Sequence, residues 1–313
     1  MTASTRPTPT APDLGNLRAA GWMTGAMAMF AVEDAFLKVL TRTMPVWQLL
    51  AMVGVVAGAI FWTRLARRGG RLWTGDLIHP MALLRNAGEI VGAVCLVTAL
   101  AVGDLAVTSA ILQVLPLTLV LGAALFLGEK VGWRRWLSVA VGFAGVLLIL
   151  RPGTAAFQPA MLWAVAGVAG LTLRDLATRR IPPGVASDQL SASAYGAMIP
   201  AWVVLGMLAG PAPVMPGPIE VVLLAGTVVF GVVGYATLVA ASRLGEASVV
   251  APFRYTRLAF ALVVAAVIFG ERPDAATLAG AALIALAGGY AMWREAGLRR
   301  RRPVDSLVRP GPG

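Results

Sequence analysis

The sequence is short of charge, of cysteine and of histidine, and each shortage excludes a class of protein. Charged residues make up 13% of the 313 and apolar residues 58%, against about 25% and 45–50% in ordinary globular domains. A soluble globule cannot hide that much apolar surface, so the composition fits a lipid bilayer as its surroundings. The single cysteine, Cys95, lies in an apolar run; it allows no intrachain disulfide and reads as a small packing residue. The one histidine, His79, stands in a turn with no cysteine beside it, so no metal and no resident cofactor is expected. No phosphate loop of the form GxxxxGK followed by Ser or Thr is present, despite Gly128-Glu129-Lys130, and there is no HExxH. ATP-driven pumping and membrane metalloprotease chemistry therefore lack their residues. The net charge is +11, but the bases fall between long apolar runs and not on a soluble face. That pattern excludes nucleic acid as the partner.

What is there is a series of apolar runs, each of about the 20 residues a helix needs to cross ~30 Å of hydrocarbon. Bounded by charge, Pro or Gly, ten runs stand out: 19–40, 46–63, 81–101, 106–127, 133–150, 159–179, 188–208, 218–241, 247–269 and 275–293. No ten-residue alternation suggests a barrel, and unpaired backbone in lipid is too costly for other forms, so all ten are expected to be transmembrane helices. The first run contains Glu33 and Asp34, which argues against a cleaved signal peptide. Counting bases between runs puts eighteen on the side of the N-terminus, among them Arg64, Arg134, Arg180 and Arg243, and three, Arg42, Arg151 and Arg272, on the other. Positive charge stays in the cytoplasm, so both termini are expected there, in a multi-pass protein of a bacterial inner membrane.

Sliding the chain on itself by about 142 positions exposes a repeat. Gly103-Asp104 aligns with Gly245-Glu246, Gly128-Glu129-Lys130 with Gly270-Glu271-Arg272, and Asp34 with Lys38 matches Asp175 with Arg179. Five runs per half is an odd number, so the second half enters from the opposite side, and inverted repeats place a substrate near the midplane between them. The expected organisation is an N-terminal tail over 1–18, repeats over 19–153 and 154–293, and a basic C-terminal tail over 294–313.

TSAILQVLPLTLVLGAALFLGEKVGWRRWLSVAVGFAGVLLILRPG, Thr108 to Gly153, and its echo from Leu244 to Met292 resemble the two EamA domains of the drug/metabolite transporter superfamily. The resemblance covers nearly the whole chain. It implies secondary transport, not an enzyme, with members that carry amino acids, S-adenosylmethionine, riboflavin, nucleosides or sugars. The Phe253-Arg254-Tyr255 triplet is most similar to the S-adenosylmethionine and riboflavin branches.

Nine ionisable residues lie inside the runs: Glu33, Asp34, Glu89 and Asp175 with Lys38, Arg85, Arg174, Arg254 and Arg257. Each costs at least ~2.5–3.5 kcal/mol near a helix centre, so each needs a partner or a wet cavity. Spacings of four allow intrahelical pairs for Arg85 with Glu89, Asp34 with Lys38, and Asp175 with Arg179. Such pairs either neutralise one another and hold helices in register, or line a passage; Lys38 and Arg179, at run ends, suit snorkelling. Arg254 and Arg257 flank Tyr255, offering a guanidinium to an anion and a ring to stack on. The repeat sets Gln113 opposite Tyr255. Arg85, Glu89, Gln113, Arg254, Tyr255 and Arg257 are the candidate substrate contacts. Glu33, Asp34, Arg174 and Asp175 form a candidate polar network, with Glu33, Asp34 and Glu89 able to couple protons if desolvated.

Pro116 and Pro252 interrupt the fourth and ninth runs, where a missing N–H either shapes a gate or is absorbed by packing; Pro200 reads as packing. Gly54 with Gly58, Gly88 with Gly92, and Gly142 with Gly145 suit close helix approach. Runs five and ten, nearly free of charge, suit scaffold or a homodimer surface. Five in-run bases against four acids lean towards an anionic or zwitterionic small molecule. Two rival readings make different predictions: a lipid-headgroup enzyme needs a clustered nucleophile or metal, and a channel gives flux that does not saturate.

Overall fold

A computed structural model describes residues 14–71, 74–129, 131–181, 185, 187–245 and 247–300. The N-terminal tail to residue 13, the tail beyond residue 300, Lys130 and Glu246 lie outside the described residues. The described chain folds as ten helical rods: α1 (Leu14–Leu40), α2 (Val46–Arg67), α3 (Pro80–Val102), α4 (Leu105–Leu112) continued by α5 (Leu115–Phe126), α6 (Trp133–Leu150), α7 (Met161–Thr178), α8 (Ser187–Ala209), α9 (Pro218–Leu244), α10 (Ala247–Val250) continued by a 3-10 turn Ala251–Tyr255 and α11 (Thr256–Phe269), and α12 (Ala275–Arg300). Among the described residues nine of these rods are long and apolar enough to cross a membrane. The first rod, α1, is the exception. It carries Arg18, Glu33, Asp34 and Lys38 along 27 residues and packs against α9 and α11.

Local chemistry explains the ends. His79 precedes α3 and accepts a hydrogen bond from the Met81 N–H at 3.2 Å, with Pro80 at the first turn, where its missing N–H costs nothing. Gly128 and Gly270 adopt φ of +68° and +66°, the left-handed conformation that closes a helix and suits glycine. The next N–H in each case, that of Glu129 or Glu271, donates back to the Ala123 or Ala265 carbonyl. The repeated Gly-Glu pair is thus a helix terminator that also aims a carboxylate.

The two prolines fall at helix breaks. The fourth rod turns at Gln113 and Val114, with Pro116 in the first turn of α5, and the ninth turns through Pro252. The buried Gln113 amide donates to the Arg254 and Tyr255 carbonyls at 3.5 and 3.2 Å, joining the two breaks.

Packing repeats the sequence symmetry. α3 lies on α7, α1 on α9, α2 on α8, α6 on α12, and α4 against α11. With the rods numbered one to ten, these pairs are 3 with 6, 1 with 8, 2 with 7, 5 with 10, and 4 with 9. Exchanging halves converts the first pair into the second and leaves the other three unchanged, as a two-fold relation requires. Glycine permits the closest contacts: a Cβ on Gly88 would stand 2.6 Å from the Arg174 backbone nitrogen, and one on Gly145 would stand 2.7 Å from the Gly280 carbonyl. Gly54 has nothing within 4 Å, so of the three glycine pairs it alone contributes no such approach. α6 and α12 spend one face on each other.

Candidate functional site

A cavity of about 390 Å³ opens where the halves meet, with walls from α1, α2 and α3 of the first and α7, α8 and α9 of the second. On α3, α7 and α8 the lining residues, such as Arg85, Thr178 and Leu190, sit in the part of the helix nearest the C-terminal end of α7. Phe30, Glu33 and Thr227, from the middle of α1 and α9, form the floor. A larger groove of about 620 Å³ beside α5, α6 and α7 carries no charged group but Arg180. Its aliphatic walls hold little to orient a polar solute.

Charge in the cavity is organised around Glu89. Arg85 on the same helix approaches one of its oxygens at 3.3 Å, and Arg174 from α7 approaches the other at 3.2 Å. Arg174 also holds Asp175 at 2.7 Å, and Arg85 donates to Asn86 and to the Leu190 carbonyl. Of the three spacings of four, only Arg85 with Glu89 forms its pair. Asp34 instead takes Arg257 in a bidentate contact at 2.7 and 2.9 Å, with that guanidinium over the Phe30 ring. Lys38 reaches Glu271 at 2.7 Å, and Arg179 reaches Glu129 at 3.3 Å. The reason is helix contact: close packing between rods brings an opposite charge nearer than the next turn of the same helix.

The candidate residues therefore divide. Glu33, Arg85, Glu89, Arg174 and Asp175 line the cavity. Asp34 and Arg257 form a clamp between α1 and α11. Gln113 is buried at the helix breaks, away from the cavity. The Tyr255 hydroxyl is buried without a hydrogen-bond partner, against Gly288 of α12. Arg254 is exposed and outside the cavity lining, although within electrostatic range of Asp175. The structure thus separates the Arg254, Tyr255 and Arg257 cluster from the cavity.

The aromatic wall was not among the expected site residues. Phe61 stacks on Tyr195 with centroids 5.8 Å apart and meets Tyr235 edge-on at 6.3 Å. The chain's four tyrosines all lie in the second half's spans, with Tyr195 and Tyr235 flanked by small residues, and were the available signal.

Beyond the floor, at the end of α1, the bundle is sealed. Lys38 bonds both Glu271 and the Gly103 carbonyl at 2.7 Å, and the Glu271 oxygens accept the Leu105 and Ala106 N–H groups at 2.9 Å. A carboxylate at a helix N-terminus is favoured by the unpaired N–H groups and the dipole. These two side chains are 10% and 9% exposed. Their repeat equivalents, Arg179 and Glu129, are 49% and 48% exposed at the open end.

Comparison with known proteins agrees with this architecture. A solved crystal structure superposes with a TM-score of 0.60 over 90% of this chain and 99% of its own at 21% identity, a likeness of fold. The S-adenosylmethionine uptake transporter of Rickettsia felis is 30% identical over 181 residues, 58% of this chain and 60% of that protein. The riboflavin transporter of Rhizobium johnstonii is 31% identical over 201 residues, 62% of this chain and 63% of that protein. The alignments thus span less than two thirds of these relatives. The pseudopaline exporter of Pseudomonas aeruginosa is 27% identical over 267 residues, 82% of this chain and 90% of that protein. The EamA-like transporter family model matches twice, over residues 17–151 and 155–289, and with tandem domains on a helical membrane fold the chain belongs to that family.

Proposed function

We propose that this protein is a secondary transporter that carries a small organic metabolite across a bacterial inner membrane by alternating access between two inverted five-span halves. One observation carries the reading. The charged cavity between the halves is sealed at one end by Lys38 and Glu271, while the repeat-related Arg179 and Glu129 stand half-exposed at the other. Five spans per half is the parity that inverts the second half, and the excess of bases assigns the open end to the cytoplasm. α1 completes ten spans: Glu33 faces the cavity, Asp34 pairs with Arg257 of α11 and Lys38 with Glu271, so these three charges are not presented to lipid.

The substrate is of the amino-acid, nucleoside or cofactor kind, in line with relatives named for S-adenosylmethionine and riboflavin. A cavity of about 390 Å³ lies within the ~300–1,000 Å³ range of small-molecule sites. The Asp34–Arg257 clamp holds the halves in register, and of the carboxylates considered for proton coupling it leaves Glu33 the least engaged.

Purified protein in liposomes tests the reading. Saturable accumulation of a labelled S-adenosylmethionine or riboflavin, without chemical conversion, is expected; product formation points to an enzyme and non-saturating flux to a channel.

A further inference from the structure

The acidic and basic groups in the cavity do not match in number. Glu33, Glu89 and Asp175 face Arg85 and Arg174, so three carboxylates meet two guanidinium groups. Glu89 is shared by both arginines and Asp175 is held by Arg174. Glu33 alone has no hydrogen bond or ion pair among the described residues. Its sequence neighbour Asp34 occupies the nearest guanidinium, Arg257, in a bidentate contact. The whole-sequence count of five bases against four acids leans towards an anionic or zwitterionic solute; with Lys38, Arg254, Arg257 and Asp34 outside the lining, the count within the cavity leans the other way.

The seat of Glu33 is specific. A Cβ on Gly231 of α9 would stand 2.6 Å from one Glu33 oxygen and 3.3 Å from the other, so the carboxylate rests on bare backbone at the cavity floor. Phe61, Tyr195 and Tyr235 line the same cavity. A carboxylate left without a partner at this depth is costly to ionise. A solute that brings its own positive charge removes that cost, and ring faces attract a desolvated cation.

We infer that Glu33, with the rings of Phe61, Tyr195 and Tyr235, receives the cationic centre of a ring-bearing organic cation, or of a zwitterion carrying one extra positive charge. This rests on the reading of the cavity as the transport site.

The test compares cationic probes with uncharged relatives of similar shape, on purified full-length protein; a methyl separates the first pair and a phenyl for an oxygen the second, so the loss of discrimination in Glu33→Gln is the reading that isolates charge. S-adenosylmethionine carries a sulfonium where S-adenosylhomocysteine has an uncharged thioether; tetraphenylphosphonium is set against triphenylphosphine oxide. At least one cationic probe is expected to bind roughly tenfold or more tightly than its counterpart, and Glu33→Gln is expected to bring the two within about twofold. Equal binding within both pairs by the unaltered protein overturns the inference, and so does discrimination that persists in Glu33→Gln. Should that variant not fold, Gly231→Ala, which crowds the carboxylate, must lower the same ratio. Charge-selective binding that depends on Glu33, with no uptake into liposomes, overturns transport and leaves the cation site standing. Saturable uptake of an anionic or uncharged solute, undiminished in Glu33→Gln, does the reverse.

Discussion

Glu271→Gln should open the sealed end of the bundle. The substitution keeps size and one carbonyl acceptor but removes the charge that binds Lys38 and caps both Leu105 and Ala106. Deleting one partner of a dry ion pair costs ~3–5 kcal/mol. Lys38 retains the Gly103 carbonyl and glutamine still accepts one N–H, which lowers the loss to about 2–3 kcal/mol. With the end open, the pair is separated and hydrated, so the substitution costs little there and the loss appears as a shift of roughly 30- to 150-fold towards that state. Ala35, 2% exposed among Leu100, Leu105, Ala106 and Ala265, reports the change. In a background with Cys95→Ala, a membrane-impermeant maleimide applied from the sealed side should label Ala35→Cys faster by about that factor when Glu271→Gln is added. The mirror substitution, Glu129→Gln, acts on a half-exposed pair, of the kind worth ~0–1 kcal/mol, and should not accelerate labelling. Unchanged labelling with Glu271→Gln, or equal acceleration by Glu129→Gln, refutes the reasoning.

Glu89→Ala strands Arg85 and Arg174 and should lower unfolding stability by about 3 kcal/mol as well as abolish uptake, measured by thermal melts and liposome assays. Gly88→Val drives a side chain into the Arg174 backbone and should cost ~1–3 kcal/mol by overpacking, with a lower melting temperature and weaker uptake together. Arg254→Leu, at a position that the sequence alone offers as a substrate contact, should leave uptake within about threefold, since Arg254 is not in the cavity lining; Arg257→Leu should destabilise the fold by freeing Asp34. Hydrogen bonds from Thr277 and then Arg151 hold the Asp274 carboxyl at about 2, below its ordinary 3.8. A depressed value stabilises the ionised form, so the contribution to the start of α12 is whole above 3.8 and lost as pH falls towards about 2. Asp274→Asn should therefore lower the melting temperature at neutral pH, with the gap to the unaltered protein closing in acid.

The rods were legible because apolar run length is a direct consequence of bilayer thickness. Starts at 46, 133, 218 and 275 agree with Val46, Trp133, Pro218 and Ala275. Ends were read short, at 63 against Arg67 and 241 against Leu244, because helical hydrogen bonding continues past the last apolar residue into water. The breaks of the fourth and ninth rods were announced by Pro116 and Pro252, and Gln113 does meet the backbone of Tyr255 as the repeat implied. Ion pairing was not legible. Spacing along one helix says nothing of which neighbour packs closest, so Asp34 and Lys38, four apart, pair instead with residues more than two hundred positions away. The aromatic wall escaped for a related reason: Phe61, Tyr195 and Tyr235 come from three rods, and no single-helix period connects them.

The repeat carries more than ancestry. In each half a glycine in the left-handed conformation ends a helix and turns the following glutamate towards a base from the opposite half, Glu271 to Lys38 and Glu129 to Arg179. Two copies of one device, each a carboxylate facing a base, would be about equally buried if the halves packed with exact two-fold symmetry. They are not: the glutamates are 9% and 48% exposed. The glutamate and the glycine cap being matched, and a lysine standing where the other copy has an arginine, the difference in burial of the glutamates follows how far each end of the bundle has closed. In the proposed alternating-access cycle, a bundle that holds one copy tight and the other loose would reach a comparable packing by exchanging them, with the cavity floor at Glu33 passing from one mouth to the other. The exchange costs little net energy because what one pair loses on hydration the other gains on burial, as a reversible carrier requires.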